Sequence, residues 1–244
     1  MNGLTALVGA GEYLPTMEAI DRRLLAEAAH QPPRVVCIPA AAGQEGEASL
    51  ARWTEMGVTH FRRLGAEAEC ACIADRASAD DPQWAALIEA ADLIYFSGGD
   101  PLYLYRTLDG ARAWRTVEAA SARGAVFAGC SAGAMILGAV IPDVNDDNFS
   151  LYPAFGKLPN CLIMPHFDQL ESYRPGLTAH IQSRLADGQY GLGIDEHTAL
   201  IGRLGGEWEV MGAGGVSILT RDKVVTYAVG RRLRLPDGQR PVRS

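Results

Sequence analysis

One short stretch near the middle of the chain most constrains the fold. An apolar run at residues 125–128 is followed by GCSAG at residues 129–133 and then by a helical-looking apolar segment at residues 134–137. A strand, a glycine-flanked turn and a helix in this order are typical of a nucleophile elbow, whose sequence pattern is G-x-S-x-G. The glycines let the strand and helix backbones pass closely around a strained turn. The pattern therefore predicts that Ser131 lies at the carboxyl end of a buried strand.

Strand-like and helix-like segments alternate through about residue 140, which predicts a doubly wound α/β fold with a mostly parallel sheet and helices on both faces. The predicted strands are 4–8, 34–39, 68–73, 92–96 and 125–128, and the predicted helices are 17–29, 46–64, 84–91 and 102–123. Residues 141–159 look like a long loop with one hairpin. Later short strands, around a helix at 173–187, predict an antiparallel C-terminal edge. We expect residues 1–244 to form a single domain.

The composition indicates which partners the protein can bind and in which cellular compartment it is expected. The net charge of −7 argues against nucleic acid or an anionic membrane as a partner. The five cysteines are an odd number without a C-x-x-C pair, so neither a disulfide framework nor a zinc site is indicated. We therefore expect a cytoplasmic protein without a metal or other cofactor, and no segment reaches the length that spans a membrane.

Ligands bind to doubly wound sheets at the carboxyl ends of the strands, so the glycine loops at residues 97–101 and 129–133 are expected to lie side by side. A serine nucleophile needs a base, and the base needs an orienting group. His166 follows a predicted strand after the elbow and is the best candidate base. Acids are available in the loop at residues 143–147 and at Asp195-Glu196.

Four motifs together carry a family resemblance: SGGD at residues 97–100, GCSAGA at 129–134, PHF at 165–167 and GIDE at 193–196. In this order they resemble the dipeptidase E and cyanophycinase family of serine peptidases, over nearly the whole chain. The resemblance implies the fold of class I glutamine amidotransferases, with serine in place of cysteine at the elbow. It implies that Ser131 is the nucleophile, that His166 is its base, and that the N–H groups of Gly99 and Ala132 form the oxyanion hole.

The same resemblance offers two acids as the third member of the triad. Asn145-Asp146 matches an Asn-Asp pair of the dipeptidase branch, and Glu196 matches an active-site glutamate of the family. Our first choice is Asp146, with Glu196 second.

The expected substrate is a small aspartyl peptide, with an α or β linkage, cleaved through an acyl-enzyme. Gly98, Asp100 and Arg174 are the expected substrate-binding residues, and Arg106 is a second candidate cation. Residues 168–174 lack the glutamine- and arginine-rich pattern of the cyanophycinase branch, which argues against an arginyl-aspartate polymer as substrate.

Two other functions remain to be weighed. A non-catalytic domain could keep both glycine loops as an anion-binding nest for a ligand or partner. A glutamine amidase needs a reactive cysteine, and Cys130 lies one residue out of register for that role and is expected to pack away from the site. Pairing of the chain into a homodimer is left open.

Overall fold

The computed structural model describes residues 1–144, 146 and 150–236. The strands are β1 (Thr5–Val8), β2 (Arg34–Ile38), β3 (Glu67–Cys70), β4 (Leu93–Phe96), β5 (Val126–Cys130), β6 (Val140–Pro142), β7 (Leu151–Pro153), β8 (Cys161–Met164), β9 (Tyr190–Ile194), β10 (Thr198–Gly202), β11 (Trp208–Gly212), β12 (Gly215–Leu219), β13 (Val224–Ala228) and β14 (Arg232–Leu233). The α-helices are α1 (Glu18–Leu25), α2 (Glu47–Arg63), α3 (Arg76–Ala79), α4 (Pro82–Glu89), α5 (Pro101–Leu108), α6 (Arg112–Arg123), α7 (Ala132–Met135), α8 (Leu170–Tyr173) and α9 (Leu177–Arg184). Short 3-10 helices lie at Pro15–Met17, Ala40–Glu45 and Phe167–Gln169.

The larger sheet has the order β14-β11-β10-β1-β5-β4-β2-β3. Its pairs from β1 through β5, β4 and β2 to β3 are parallel, and β10, β11 and β14 extend it in antiparallel fashion. Successive strand residues pack into different core clusters: Leu7 and Phe96 into one, Val8 and Tyr95 into the other. Because apolar side chains leave both faces, helices cover both. The predicted doubly wound α/β class is confirmed.

A second sheet, of order β13-β12-β9-β8-β6-β7, carries the remaining strands. Its β6, β8 and β9 are parallel neighbours, while β12, β13 and β7 pair in antiparallel fashion. The hairpin predicted within residues 141–159 is the β6–β7 pair. The late strands therefore divide between two sheets, whereas the sequence predicts them together at one edge.

Two predicted helices are broken by glycine. The helix predicted at residues 102–123 consists of α5 and α6, separated at Gly110, which has a φ of +65°. The helix predicted at 173–187 is only α9, preceded by the separate turn α8, because Pro175 and Gly176 stand between them and Gly176 has a φ of +82°. Proline and a left-handed glycine both stop a helix.

Within the described part of the chain, no helix combines the length and the apolar character that a membrane crossing requires.

Candidate active site

The elbow has the strained geometry that its sequence predicts. Ser131 directly follows β5 and has a φ of 49° and a ψ of −111°, which an L-residue rarely adopts. A Cβ added to Gly129 would lie 2.2 Å from the carbonyl oxygen of Gly133, and one added to Gly133 would lie 2.7 Å from that of Phe96. Both elbow positions therefore need glycine: at Gly129 the backbones before and after the turn are in contact, and at Gly133 the helix meets the end of β4.

His166 lies within reach of the serine. It follows β8 with a left-handed φ of 51°, and its Nε2 lies 3.2 Å from Ser131 Oγ. Its Nδ1 lies 2.7 Å from Glu196 Oε1, and about a third of each of these two side chains is exposed. Because an ionised carboxylate can only accept, Nδ1 carries the proton of a neutral imidazole and Nε2 is left to accept from the Ser131 hydroxyl.

The acid at the imidazole is therefore Glu196, which the sequence ranked second. The first choice, Asp146, accepts hydrogen bonds from the backbone N–H and the hydroxyl of Ser150. Asn145, the other half of the Asn-Asp match, lies outside the described residues. Glu196 reaches the imidazole because β8 and β9 are parallel neighbours, so the loops that follow these two strands lie side by side.

A second contact fixes the Glu196 loop against the His166 loop. Asp168 Oδ1 accepts the backbone N–H of Glu196 at 2.8 Å. Burial alone would raise the pKa of Asp168, but hydrogen bonds from Glu196 and Gln169 outweigh it and lower that pKa. Phe167 lies directly over Gly193 of β9, where an added Cβ would come within 2.4 Å of the ring. The PHF and GIDE motifs are thus in direct contact with each other in the fold.

The glycine loop after β4 lies beside the elbow, as predicted. Gly99 has a φ of +137°, and a Cβ there would lie 2.6 Å from the backbone of Ala41. Gly99 is exposed. Neither its N–H nor that of Ala132 has an acceptor among the described residues. Both positions expected to form an oxyanion hole thus have a free donor.

Glu12 is a residue of the site that the sequence did not single out. Its Oε1 accepts the N–H of Gly98 at 2.8 Å, and its Oε2 accepts the Cys130 thiol at 3.0 Å. An added Cβ at Gly98 would lie 3.1 Å from Glu12 Oε1 and 3.3 Å from Ser131 Cβ. Gly98 is thus held between Glu12 and the serine, and its N–H is unavailable to a substrate. In the sequence, Glu12 is marked by its position directly after the glycine-rich residues 9–11, which follow β1.

Cys130 is completely buried, as its expected packing role requires. Burial raises the pKa of its thiol well above the ordinary value, and the neighbouring Glu12 carboxylate adds to this effect. A thiol that resists ionisation is a poor nucleophile. The geometry therefore gives no support to a cysteine-dependent amidase.

The other predicted substrate-binding residues have structural contacts. Asp100 is the N-cap of α5, where it accepts the N–H of Tyr103 at 2.8 Å, and it also accepts from Gln44. Arg174 ends α8, and its backbone N–H is donated to Leu170. The guanidinium of Arg106 lies 5.4 Å from the centre of the Tyr152 ring. Contact of Asp100 and Arg174 with a substrate stays a prediction.

Of the four remaining histidines, His180 is exposed on α9 and lines a cavity that Ser131 also lines, and the other three have partners elsewhere. His60 is buried against Asp21 at 2.7 Å, His30 contacts Asp92, and His197 Nδ1 lies 3.1 Å from Thr16 Oγ1. The described residues contain no cluster of three or more His, Cys, Asp or Glu side chains that could hold a metal ion.

The site thus contains a serine hydroxyl in contact with an imidazole, which in turn contacts a carboxylate. Two free backbone N–H groups lie beside the serine. This is the arrangement found in serine hydrolases. The model of peptidase family S51 matches residues 5–206, and the chain belongs to that family. The protein is accordingly a serine-type peptidase.

Solved structures agree with this assignment. A crystal structure of a peptidase from an acI-B1 Actinobacterium is 34% identical, with a TM-score of 0.87 over 96% of this chain and 98% of that one. A protein from Listeria monocytogenes EGD-e, assigned as a peptidase E, is 18% identical, with a TM-score of 0.61 over 94% of this chain and 100% of that one; this likeness concerns the fold alone. The comparison with curated proteins gives no match.

Proposed function

We propose that Ser131, His166 and Glu196 are the catalytic triad of a peptidase that hydrolyses small peptides through an acyl-enzyme. The observation that carries the proposal is the line of contacts from Ser131 Oγ to His166 Nε2, at 3.2 Å, and from His166 Nδ1 to Glu196, at 2.7 Å. Glu196 keeps the proton on Nδ1, so Nε2 can act as the base.

The reaction follows from these positions. Ser131 Oγ attacks the scissile carbonyl carbon while His166 Nε2 takes the hydroxyl proton. The oxygen of the tetrahedral intermediate accepts hydrogen bonds from the N–H groups of Gly99 and Ala132. His166 then gives its proton to the leaving amine. A water molecule, deprotonated by the same nitrogen, attacks the ester and releases Ser131.

Triad membership is tested with a matched pair of acid variants. Peptide hydrolysis by the wild type is compared with Ser131→Ala, Glu196→Gln and Asp146→Asn, using a dipeptide library with mass-spectrometric detection. We expect Ser131→Ala to lower kcat by roughly 10⁶-fold and Glu196→Gln by roughly 10³- to 10⁴-fold, as in other triads. Asp146→Asn should stay within a few-fold of the wild type. The reverse order for the two acids would make Asp146 the third member, and activity in Ser131→Ala would refute the mechanism.

The aspartyl preference is a further part of the proposal and rests on the family resemblance. An aspartyl carboxylate needs a cation close to the scissile bond, and Arg174 and Arg106 are the candidates. The same library, with α- and β-aspartyl peptides including β-aspartyl-arginine, tests it: cleavage confined to peptides without aspartate would refute the preference.

A cytoplasmic location also stays a prediction. The five cysteines are free thiols in the structure, which agrees with a reducing compartment. Cell fractionation tests this point, and sedimentation of the purified protein tests whether it pairs into a homodimer.

A further inference from the structure

A cavity of about 220 Å³ opens beside the proposed nucleophile. Gly99, Ser131 and His166 line it at the reaction centre. Pockets that bind drug-sized ligands typically enclose about 300–1,000 Å³, so this cavity suits a smaller group, such as one amino-acid side chain.

The walls of the cavity are apolar where they are buried. They are formed by Met135 after the elbow, by Leu162 and Met164 of β8, and by Leu177 and Ile181 of α9. Leu162, Met164 and Leu177 are each less than a tenth exposed. A charged group placed among these side chains would lose its hydration without compensation, whereas an apolar one would gain from burial.

The exposed part of the lining contains apolar side chains as well, beside the polar His180 and Arg184. Val144, Leu151 and Tyr173 line the cavity with 52%, 49% and 67% of their surface exposed. They are three of the seven large apolar side chains that are exposed in the described part of the chain. Exposed apolar groups gathered around the mouth of a cavity mark a binding surface. Among the described lining residues, Arg184 supplies the permanent charge, and it lies exposed on α9.

The position of His166 indicates which part of a peptide enters the cavity. His166 delivers its proton to the leaving amine, so the residue on the carboxyl side of the scissile bond must lie against it. The residues that flank His166 in sequence line the cavity, so the cavity adjoins this side of the reaction centre: Met164 and Pro165 lie before His166, and Leu170 and Tyr173 after it.

We infer that this cavity is the binding subsite for an apolar side chain on the residue that follows the scissile bond. The inference rests on the proposed function for the location of that bond. Any acidic group on the residue before the bond is then recognised by a different part of the site, so Asp-Leu is the type of dipeptide expected to fit both halves.

The test measures binding to the Ser131→Ala protein, which does not depend on turnover. The probes are Asp-Leu, Asp-Lys, Ala-Leu and Ala-Lys, so the second residue is varied independently of the first. Leucine peptides should bind about 10- to 100-fold more tightly than lysine peptides, the range expected for burying one leucine-sized side chain. Equal binding of leucine and lysine peptides would overturn the inference.

Two cavity variants and one control test whether the preference for leucine peptides arises from this cavity. Ile181→Asn within the wall and Tyr173→Ser at the exposed edge, each added to Ser131→Ala, should reduce the leucine preference at least several-fold. Val224→Asn is the matched control, because Val224 is also an exposed apolar residue but lies on β13, outside the described lining. A preference that survives both cavity variants would overturn the inference. Selective binding of leucine peptides by a protein whose wild type hydrolyses none of them would instead contradict the proposed function.

Discussion

The carboxylate of Glu12 contacts both glycine loops of the site, the one at residues 97–101 and the one at residues 129–133. One oxygen accepts the N–H of Gly98 and the other accepts the Cys130 thiol, so a single side chain contacts the residue before Gly99 and the residue before Ser131. The direction of the Gly99 N–H depends on the peptide that Gly98 begins. We therefore predict that Glu12 is a positioning residue for the proposed oxyanion donor Gly99.

Replacement of Glu12 should lower kcat more than it changes KM. Glu12→Ala leaves the Gly98 N–H without its acceptor, and loss of one oxyanion donor costs up to about 10²- to 10³-fold in kcat. Glu12→Gln retains an acceptor for Gly98 and should restore most of the activity. Steady-state kinetics give kcat and KM of both variants, and thermal unfolding shows whether they are folded. Glu27→Ala, which lies away from the site, is the control. A kcat of Glu12→Ala within twofold of the wild type would exclude the role.

Asp168 links the loops after β8 and β9, and we expect the two loops to act together in the proposed mechanism. The contact of Asp168 with the Glu196 N–H, together with Phe167 lying over Gly193, holds the acid in line with His166 Nδ1. Asp168→Ala should lower kcat by about 10-fold or more through poorer alignment of Glu196, and Asp168→Asn, which still offers an oxygen, should recover part of it. In a Glu196→Gln background the Asp168→Ala change should cost much less, because both act through the same imidazole. Additive losses would contradict the link.

The limits of sequence-based prediction are clearest in these elements. Ser131, His166 and the glycine loops could be placed because each follows an apolar strand and carries a local pattern. The glycine at 129 was predicted for the reason that the backbone contacts now give, whereas Gly133 is required by its contact with Phe96 of β4. The sequence ranked Asp146 before Glu196, whereas the structure brings Glu196 to the imidazole, because that contact depends on which strands are neighbours in the second sheet. The helix breaks at Gly110 and Gly176 were predictable from glycine and proline but were hidden by the helical spacing around them.

The division of the strands into two sheets determines how the site is built. The larger sheet supplies Gly99 and Ser131 at the ends of β4 and β5, and the second sheet supplies His166 and Glu196 at the ends of β8 and β9. The cavity wall likewise combines segments that are far apart in sequence. No local pattern contains this information, because it arises from how the two sheets pack.

At the amino-terminal end of β4, away from the active site, lies a buried carboxylate, that of Asp92. We expect it to determine how the stability of the fold changes in acid. Asp92, which precedes β4, accepts the N–H groups of Arg34 and Ala29 and contacts His30 Nδ1, and its side chain is 5% exposed. Burial alone would raise the pKa of Asp92, but the hydrogen bonds from Arg34, His30 and Ala29 outweigh it, so the pKa lies below its ordinary value.

A lowered pKa in the folded state means that the stabilisation by Asp92 is present above the unfolded pKa of about 3.9 and is lost as the pH falls through the folded value. Asp92→Asn should therefore reduce the free energy of unfolding by about 1–3 kcal/mol near neutral pH, because its amide cannot accept from all three donors. The difference from the wild type should shrink as the pH falls below about 4. Urea unfolding across this range measures it, with the exposed Asp187→Asn as the control expected to change stability by less than about 0.5 kcal/mol. A penalty for Asp92→Asn that stays constant or grows in acid would show that the charge of Asp92 does not stabilise the fold.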